Sequence, residues 1–214
     1  MSINVRLDLE KVRKYVNLLI PGVHVRHNHK GGFAGYIKEN GELAVIVRQL
    51  LEESAVEVFI PIVLKPPTTG YVSIKWKSRV INIPTPSDNK VMFYFIGAEY
   101  VPGYKDGFSI YMIKDSTGAI SRKASVVVDG TETSQDISFD ETVEHEFEIR
   151  WYSDHVEFYI DGSQVANISA SPSRALMPFI ELMNYSTARL PASGAEAIGM
   201  KDLVAVINDL AKYL

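Results

Sequence analysis

The sequence predicts an all-β protein, a two-sheet antiparallel β-sandwich of jelly-roll type with a short N-terminal helix, on three observations. First, Phe147, Ile149 and Trp151 alternate with Glu146, Glu148 and Arg150, and Val156, Phe158 and Ile160 alternate with Glu157, Tyr159 and Asp161. A period of two gives each strand one apolar and one polar face. Second, about ten to twelve short strand-like segments follow one another with turn residues at regular spacing, the mark of a sandwich. Third, a length of 214 residues with 46% hydrophobic and 22% charged residues suits one large all-β domain with a substantial core.

In chain order, Leu9, Val12, Val16 and Leu19 fall at helical spacing. Asp8 can cap a helix over 8–20, and Pro21-Gly22 stops it. Residues 23–31 read as a short extended piece and a turn. Segments 33–38 and 43–48 flank Asn40-Gly41 as a hairpin. Residues 49–54 read as a helical turn or a polar loop. Segment 56–64 is apolar enough for a buried strand, although Pro61 argues for an edge or a bulge. Strands are expected over 71–76, 79–83, 91–100 with a break at Gly97, 108–114 and 119–128. Residues 131–140 read as a polar excursion. Strands over 145–151 and 156–160 follow, with Asp161-Gly162 as a tight turn. Segment 177–184 is a further strand and 185–194 an irregular arm. Residues 195–214 fit either a helical stripe or a strand, and a strand to about Ile207 with a short helical tail is favoured. The implied organisation is an N-terminal helical segment (1–22), a β-sandwich (23–207) and a tail (208–214).

The bulk numbers exclude several functions. Net charge is -4, so there is no overall basic character of the kind that nucleic-acid binding shows. There are no cysteines, which excludes disulfides, thiolate metal sites and cysteine nucleophiles. No apolar run approaches the length of a membrane-spanning helix. The first residues lack a basic start followed by an apolar run, so a cytoplasmic location is expected, or the virion if the source is viral.

The stretch from His145 to Gly162 resembles the signature hairpin of concanavalin A-like lectin/glucanase sandwiches, with a histidine, alternating apolar residues to a tryptophan, a short turn, and Phe158-Tyr159-Ile160-Asp161-Gly162. Upstream, Phe93 to Glu99, a loop, and Gly107 to Ile113 are similar to the preceding strand pair in laminin-G-like domains. The resemblance spans about residues 91–207. It implies the fold and, by analogy, a carbohydrate ligand.

Many sandwiches of this group are glycosidases, which place two carboxyls about 5–5.5 Å apart for retaining hydrolysis. The glucanases of the group carry them on one strand as Glu-x-Asp-x-(x)-Glu, and this chain has no such run. Glu144, Glu146 and Glu148 share one strand face at about 6.5–7 Å per step. They read as a solvated face on which Glu148 can pair with Arg150. The motifs of the polysaccharide lyases are also absent. His24, His27 and His29 could hold zinc if a turn gathers them, and otherwise form a polar turn. His145 and His155 read as surface residues and Trp76 as core. Asp115, Asp129, Asp140 and Asp161 have no spacing of a calcium loop. No cofactor is expected.

The candidate ligand site is the loop 100–107. Sugars offer flat C–H faces to aromatic rings and hydroxyls to acceptors. Tyr100, Tyr104 and Asp106 supply both, with Asn184 and Tyr185 from another loop. Tyr104 is the expected stacking platform and Asp106 the hydroxyl acceptor. The leading expectation is therefore a non-catalytic, lectin-like carbohydrate-binding module. The alternatives are a structural or assembly protein such as a virion component, which would self-associate, and an atypical glycoside hydrolase.

Overall fold

The computed structural model describes residues 63–80, 83, 85–100 and 106–187, together with the backbone of six further strands. Fifteen strands lie within the described residues. They are β1 (Ile3–Arg6), β2 (Val23–Arg26), β3 (Gly32–Ile37), β4 (Leu43–Gln49), β5 (Ser54–Phe59), β6 (Val72–Val80), β7 (Lys90–Glu99) and β8 (Gly107–Asp115). There follow β9 (Ile120–Val128), β10 (Thr131–Asp136), β11 (His145–Trp151), β12 (Val156–Ile160), β13 (Ser163–Ile168), β14 (Met177–Asn184) and β15 (Glu196–Ile207). An eight-stranded sheet runs β13-β12-β11-β6-β15-β4-β3, with β1 also on β15. A seven-stranded sheet runs β10-β9-β8-β7-β14-β5-β2. The strand pairs are antiparallel, as in the predicted two-sheet sandwich. The described residues contain no helix, and none of their elements is a helix long and apolar enough to cross a membrane. The helix expected over 8–20, the Asn40-Gly41 turn, Pro61 and the tail after Ile207 lie outside the described residues.

The signature hairpin forms as its alternation dictates. Phe147, Ile149, Trp151, Val156 and Phe158 have no exposed surface and Ile160 only 6%. Asp161 and Gly162 take φ of 50° and 78°, the left-handed pair that closes a two-residue turn. Across the sandwich these side chains meet the seven-stranded sheet. Phe95 packs on Phe147 with ring centroids 5.1 Å apart, and Phe108 on Trp151 at 5.6 Å.

Several elements differ from expectation, among them β1 and β13, where no strand was expected. Segments 71–76 and 79–83 are one strand, β6, because Ser78 takes the inward place between Trp76 and Val80. Its hydroxyl is 3.1 Å from the Phe95 carbonyl oxygen, to which it donates, so a polar residue sits in the core satisfied. The polar excursion at 131–140 begins with a strand, β10, paired to β9 through a turn in which Asp129 and Gly130 have φ of 50° and 80°. All six residues of β10 are exposed, so it carries no apolar alternation. Gly97 does not break β7. The irregularity lies one or two residues earlier, where Phe95 has no register partner on β8.

That bulge inverts the strand. Phe93 and Phe95 face the core before it, and Ile96 and Ala98 face the core after it. Tyr94 lies on the outer face before it, and Gly97 and Glu99 after it. A β-bulge re-aims every side chain that follows. Here it delivers Glu99 to the outer face of the seven-stranded sheet, where the candidate site lies.

Candidate functional site

A groove of about 610 Å³ runs over the face of β7, β8, β9, β10 and β14 that points away from the core. Its floor follows the strand register. Glu181 on β14 stands opposite Tyr94 on β7, Tyr94 opposite Tyr111 on β8, and Tyr111 opposite Lys123 on β9. Opposed residues of antiparallel strands share a face, so this is one polar row across four strands. Beside it, Phe179, Gly97, Ser109 and Ser125 form the next row. The groove is deep there because Gly97 has no side chain: a Cβ would lie 2.7 Å from Cε1 of Phe179. On the other side of the polar row, Met183, Met92 and Ile113 give an apolar strip.

The three tyrosines form one electrostatic group. Tyr94 packs on Tyr111 at 5.3 Å and on Phe179 at 5.4 Å. Burial raises the Tyr94 hydroxyl well above the usual phenol range, and the Glu181 carboxylate raises it further. Burial also raises Tyr111, whose hydroxyl donates to Glu132 Oε1 at 2.8 Å. Tyr185 is raised by burial and then by Glu181 and Glu132. All three therefore remain protonated donors at neutral pH. Tyr111 spends its proton on Glu132. Among the described residues the hydroxyls of Tyr94 and Tyr185 have no hydrogen-bond partner. Both tyrosines are half-buried and line the groove, so their hydroxyls are open to water or a ligand there.

Tyr185 is fixed at the groove's end by its backbone. Its N–H donates to Lys90 O at 3.0 Å and its carbonyl accepts from Asn89 Nδ2 at 2.9 Å. Asp88 binds the next two residues, accepting from the Ser186 hydroxyl, the Thr187 hydroxyl and, at 3.0 Å, the Thr187 N–H. The Lys90 ammonium lies 5.0 Å from the centre of the Tyr185 ring, a cation–π distance.

The structure divides the residues expected to bind ligand. Asp106 and Tyr185 line the groove. Tyr100 is half-buried against the core, under the Arg174 guanidinium at 5.0 Å. Tyr104 lies outside the described residues. Asn184 is fully buried, and its Oδ1 accepts from the Ser186 N–H at 2.9 Å, a turn-forming role. Asp106, expected as a hydroxyl acceptor, is engaged within the protein. It is only 1% exposed, its Oδ1 accepts from the Asp129 N–H at 2.8 Å, and its Oδ2 pairs with Arg174 Nε at 2.8 Å. The first contact is a well-formed hydrogen bond, whereas the second is an ion pair without hydrogen-bond alignment.

The other candidates sit elsewhere. Glu146 pairs with Lys75 and Glu148 with Arg150, each at 2.6 Å, on the outer face of the eight-stranded sheet, as a solvated face should. His24 stands on β2 opposite Glu57 of β5, and His27 and His29 lie outside the described residues. His145 pairs with Asp161, and His155 stacks on Tyr152 at 4.2 Å. Asp115 and Asp140 bind their own turns through Thr117 and Thr142. Among the described residues no three histidine or carboxylate side chains converge as a metal site.

No family model and no curated protein sequence matches the chain. Solved structures do. The pseudo β-1,3-glucanase Rv0315 of Mycobacterium tuberculosis is similar with a TM-score of 0.55 at 15% identity, over 82% of this chain and 78% of that one. A glycosyl hydrolase family protein of Mycobacterium fortuitum gives 0.55 at 13%, over 96% and 91%. The endo-β-1,3-glucanase of Pyrococcus furiosus gives 0.51 at 14%, over 86% and 90%. At these identities the likeness is one of fold. The chain has the fold of the concanavalin A-like lectin/glucanase sandwiches.

Proposed function

We propose that this chain is a carbohydrate-binding module whose ligand lies in the groove of the seven-stranded sheet, and that it binds without turnover. The observation that carries the reading is the pair of tyrosines, Tyr94 and Tyr185, that line the groove with hydroxyls that have no acceptor among the described residues. Around them are the polarised acceptor Glu132, the buried carboxylate of Glu181 and an apolar strip at Met92 and Met183. Donors, acceptors and flat apolar surface side by side are what a sugar ring requires. The names of similar structures suggest β-1,3-linked glucose as the first ligand to try.

The spacing of Glu99 and Glu181 along the groove supports binding over hydrolysis. Glu99 is in register with Met177, four residues along β14 from Glu181. Four residues of strand separate their backbones by about 13 Å, a spacing that does not favour the roughly 5–5.5 Å carboxyl separation of a retaining pair. One observation favours an atypical hydrolase instead: Glu57 on β5 stands in register opposite Glu181.

Calorimetry with β-1,3-gluco-oligosaccharides, after a glycan array, tests the reading. Binding should weaken about 2- to 10-fold in Tyr94→Phe, the range of one neutral hydrogen bond, and more in Tyr185→Ala. An array without hits, or unaltered affinity in both variants, refutes it. Release of reducing ends that stops in Glu181→Gln would establish the hydrolase in its place.

A further inference from the structure

Asp106 is a carboxylate almost without exposed surface, and it joins three segments that are distant in sequence. Its backbone carbonyl accepts from the Tyr100 N–H at 3.0 Å, which closes the base of the β7–β8 connection. Its Oδ1 holds the N–H of Asp129, the first residue of the left-handed turn between β9 and β10. Its Oδ2 pairs with Arg174, on the connection from β13 to β14, and Arg174 in turn covers Tyr100. Gly107, the next residue, brings β8 so close to β7 that a Cβ would lie 2.7 Å from Ala98 O.

Glu132 follows Asp129 by three residues on β10, whose six residues are all exposed. The β9–β10 ladder holds the backbone at that end of the edge strand, with Thr131 opposite Val128 and Glu132 opposite Val127. The Asp106 bond and the Tyr111 hydroxyl are the side-chain contacts that fix it. We propose that Asp106 is a positioning residue for the groove: with Arg174 as its counter-ion, it sets the Asp129-Gly130 turn and so holds Glu132 where Tyr111 can orient it towards a bound sugar. This rests on the glycan-binding reading above. A hydroxyl acceptor that is pre-oriented loses no freedom on binding.

The test is a double-mutant cycle on the affinity for a β-1,3-gluco-oligosaccharide. Asp106→Ala should weaken binding about tenfold in the wild-type background, and by less than about twofold when Glu132 is already alanine, because positioning acts only through Glu132. Unaltered affinity, or the same loss in both backgrounds, overturns the proposal. Should Asp106→Ala fail to fold, Arg174→Gln at its half-exposed position replaces it in the cycle with the same expectations. A ligand-free measurement separates this proposal from the functional one. In Asp106→Asn or Arg174→Gln, the carboxyl carbon of Glu132 should shift by NMR while core methyls such as those of Ile149 stay in place. If wild type binds no glycan, the proposed function fails and this shift alone decides the positioning role. An unmoved Glu132 signal overturns it.

Discussion

The indole N–H of Trp76 donates to the carbonyl oxygen of Phe95 across the sandwich at 2.8 Å, and both residues are buried. Trp76 belongs to one sheet and Phe95 to the other. Phe95 is the residue without a partner on β8, so the bulge that turns Glu99 towards the groove is held from the opposite sheet. Core packing and site geometry therefore share this contact. Ser78 adds a second donor to the same oxygen.

Trp76→Phe should cost about 1–3 kcal/mol, through a lost buried hydrogen bond and a shortened ring. Ser78→Ala, with Trp76 still in place, should cost about 0.5–1.5 kcal/mol. Urea unfolding monitored by far-UV circular dichroism measures both. A Trp76→Phe variant as stable as wild type would show that the bulge needs no such anchor.

Truncation in the signature hairpin should be severe. Phe147→Ala or Phe158→Ala should cost about 3–5 kcal/mol, the range for large aromatic side chains removed from a packed core. Both residues have no exposed surface. Denaturant midpoints that move by less than a third of that would mean the core repacks around the lost ring.

Much of this hairpin was legible because its two faces see different media: water on one side and the core on the other. The groove was not, for the opposite reason. In β7, β8 and β14 both faces are largely apolar or buried, so period two is blurred. Tyr94, Tyr111 and Glu181 lie far apart in the chain, and only the register brings them into one row. A signal was present: Glu181 is a lone acid in an otherwise apolar strand, and Tyr94 and Tyr111 each sit between apolar residues. The tyrosine-rich loop 100–107 stands out in the sequence because its residues are contiguous, yet Asp106 there serves the fold through Arg174 and Asp129. β10 stayed hidden because an exposed edge strand has no apolar face to betray it.

Gly97→Ala should narrow the groove. The new methyl would meet the Phe179 ring at 2.7 Å, so the ring, which packs on Tyr94 at 5.4 Å, must shift. Overpacking of this kind costs about 1–3 kcal/mol. Thermal unfolding should show that loss, and glycan affinity should fall with it. Undiminished affinity would place the ligand away from Phe179.

The tyrosine environment predicts alkaline lability. Burial raises Tyr94 and Tyr111, and it pushes Tyr152 up to about 12, with Glu157 adding to the effect. An unfolded tyrosine ionises near about pH 10. The unfolded chain therefore releases these protons first, and the stability they contribute is intact below about pH 10 and falls as pH rises above it. Absorbance titration should show part of the eleven tyrosines resisting ionisation at pH 11 until the chain unfolds. Simple, complete ionisation near pH 10 in the folded protein would contradict the buried hydroxyls.

A glycan in the groove of the seven-stranded sheet, as proposed, would lie against Met92 and Met183. Methionine methyl groups report on it directly, since Met92 and Met183 line the groove and Met112 is in the core. In a sample labelled with ¹³C at the methionine methyls, a β-1,3-gluco-oligosaccharide should shift the Met92 and Met183 signals in a saturable way and leave Met112 in place. Saturable binding, shown by calorimetry, that leaves Met92 and Met183 unmoved would put the ligand elsewhere and refute the proposed site.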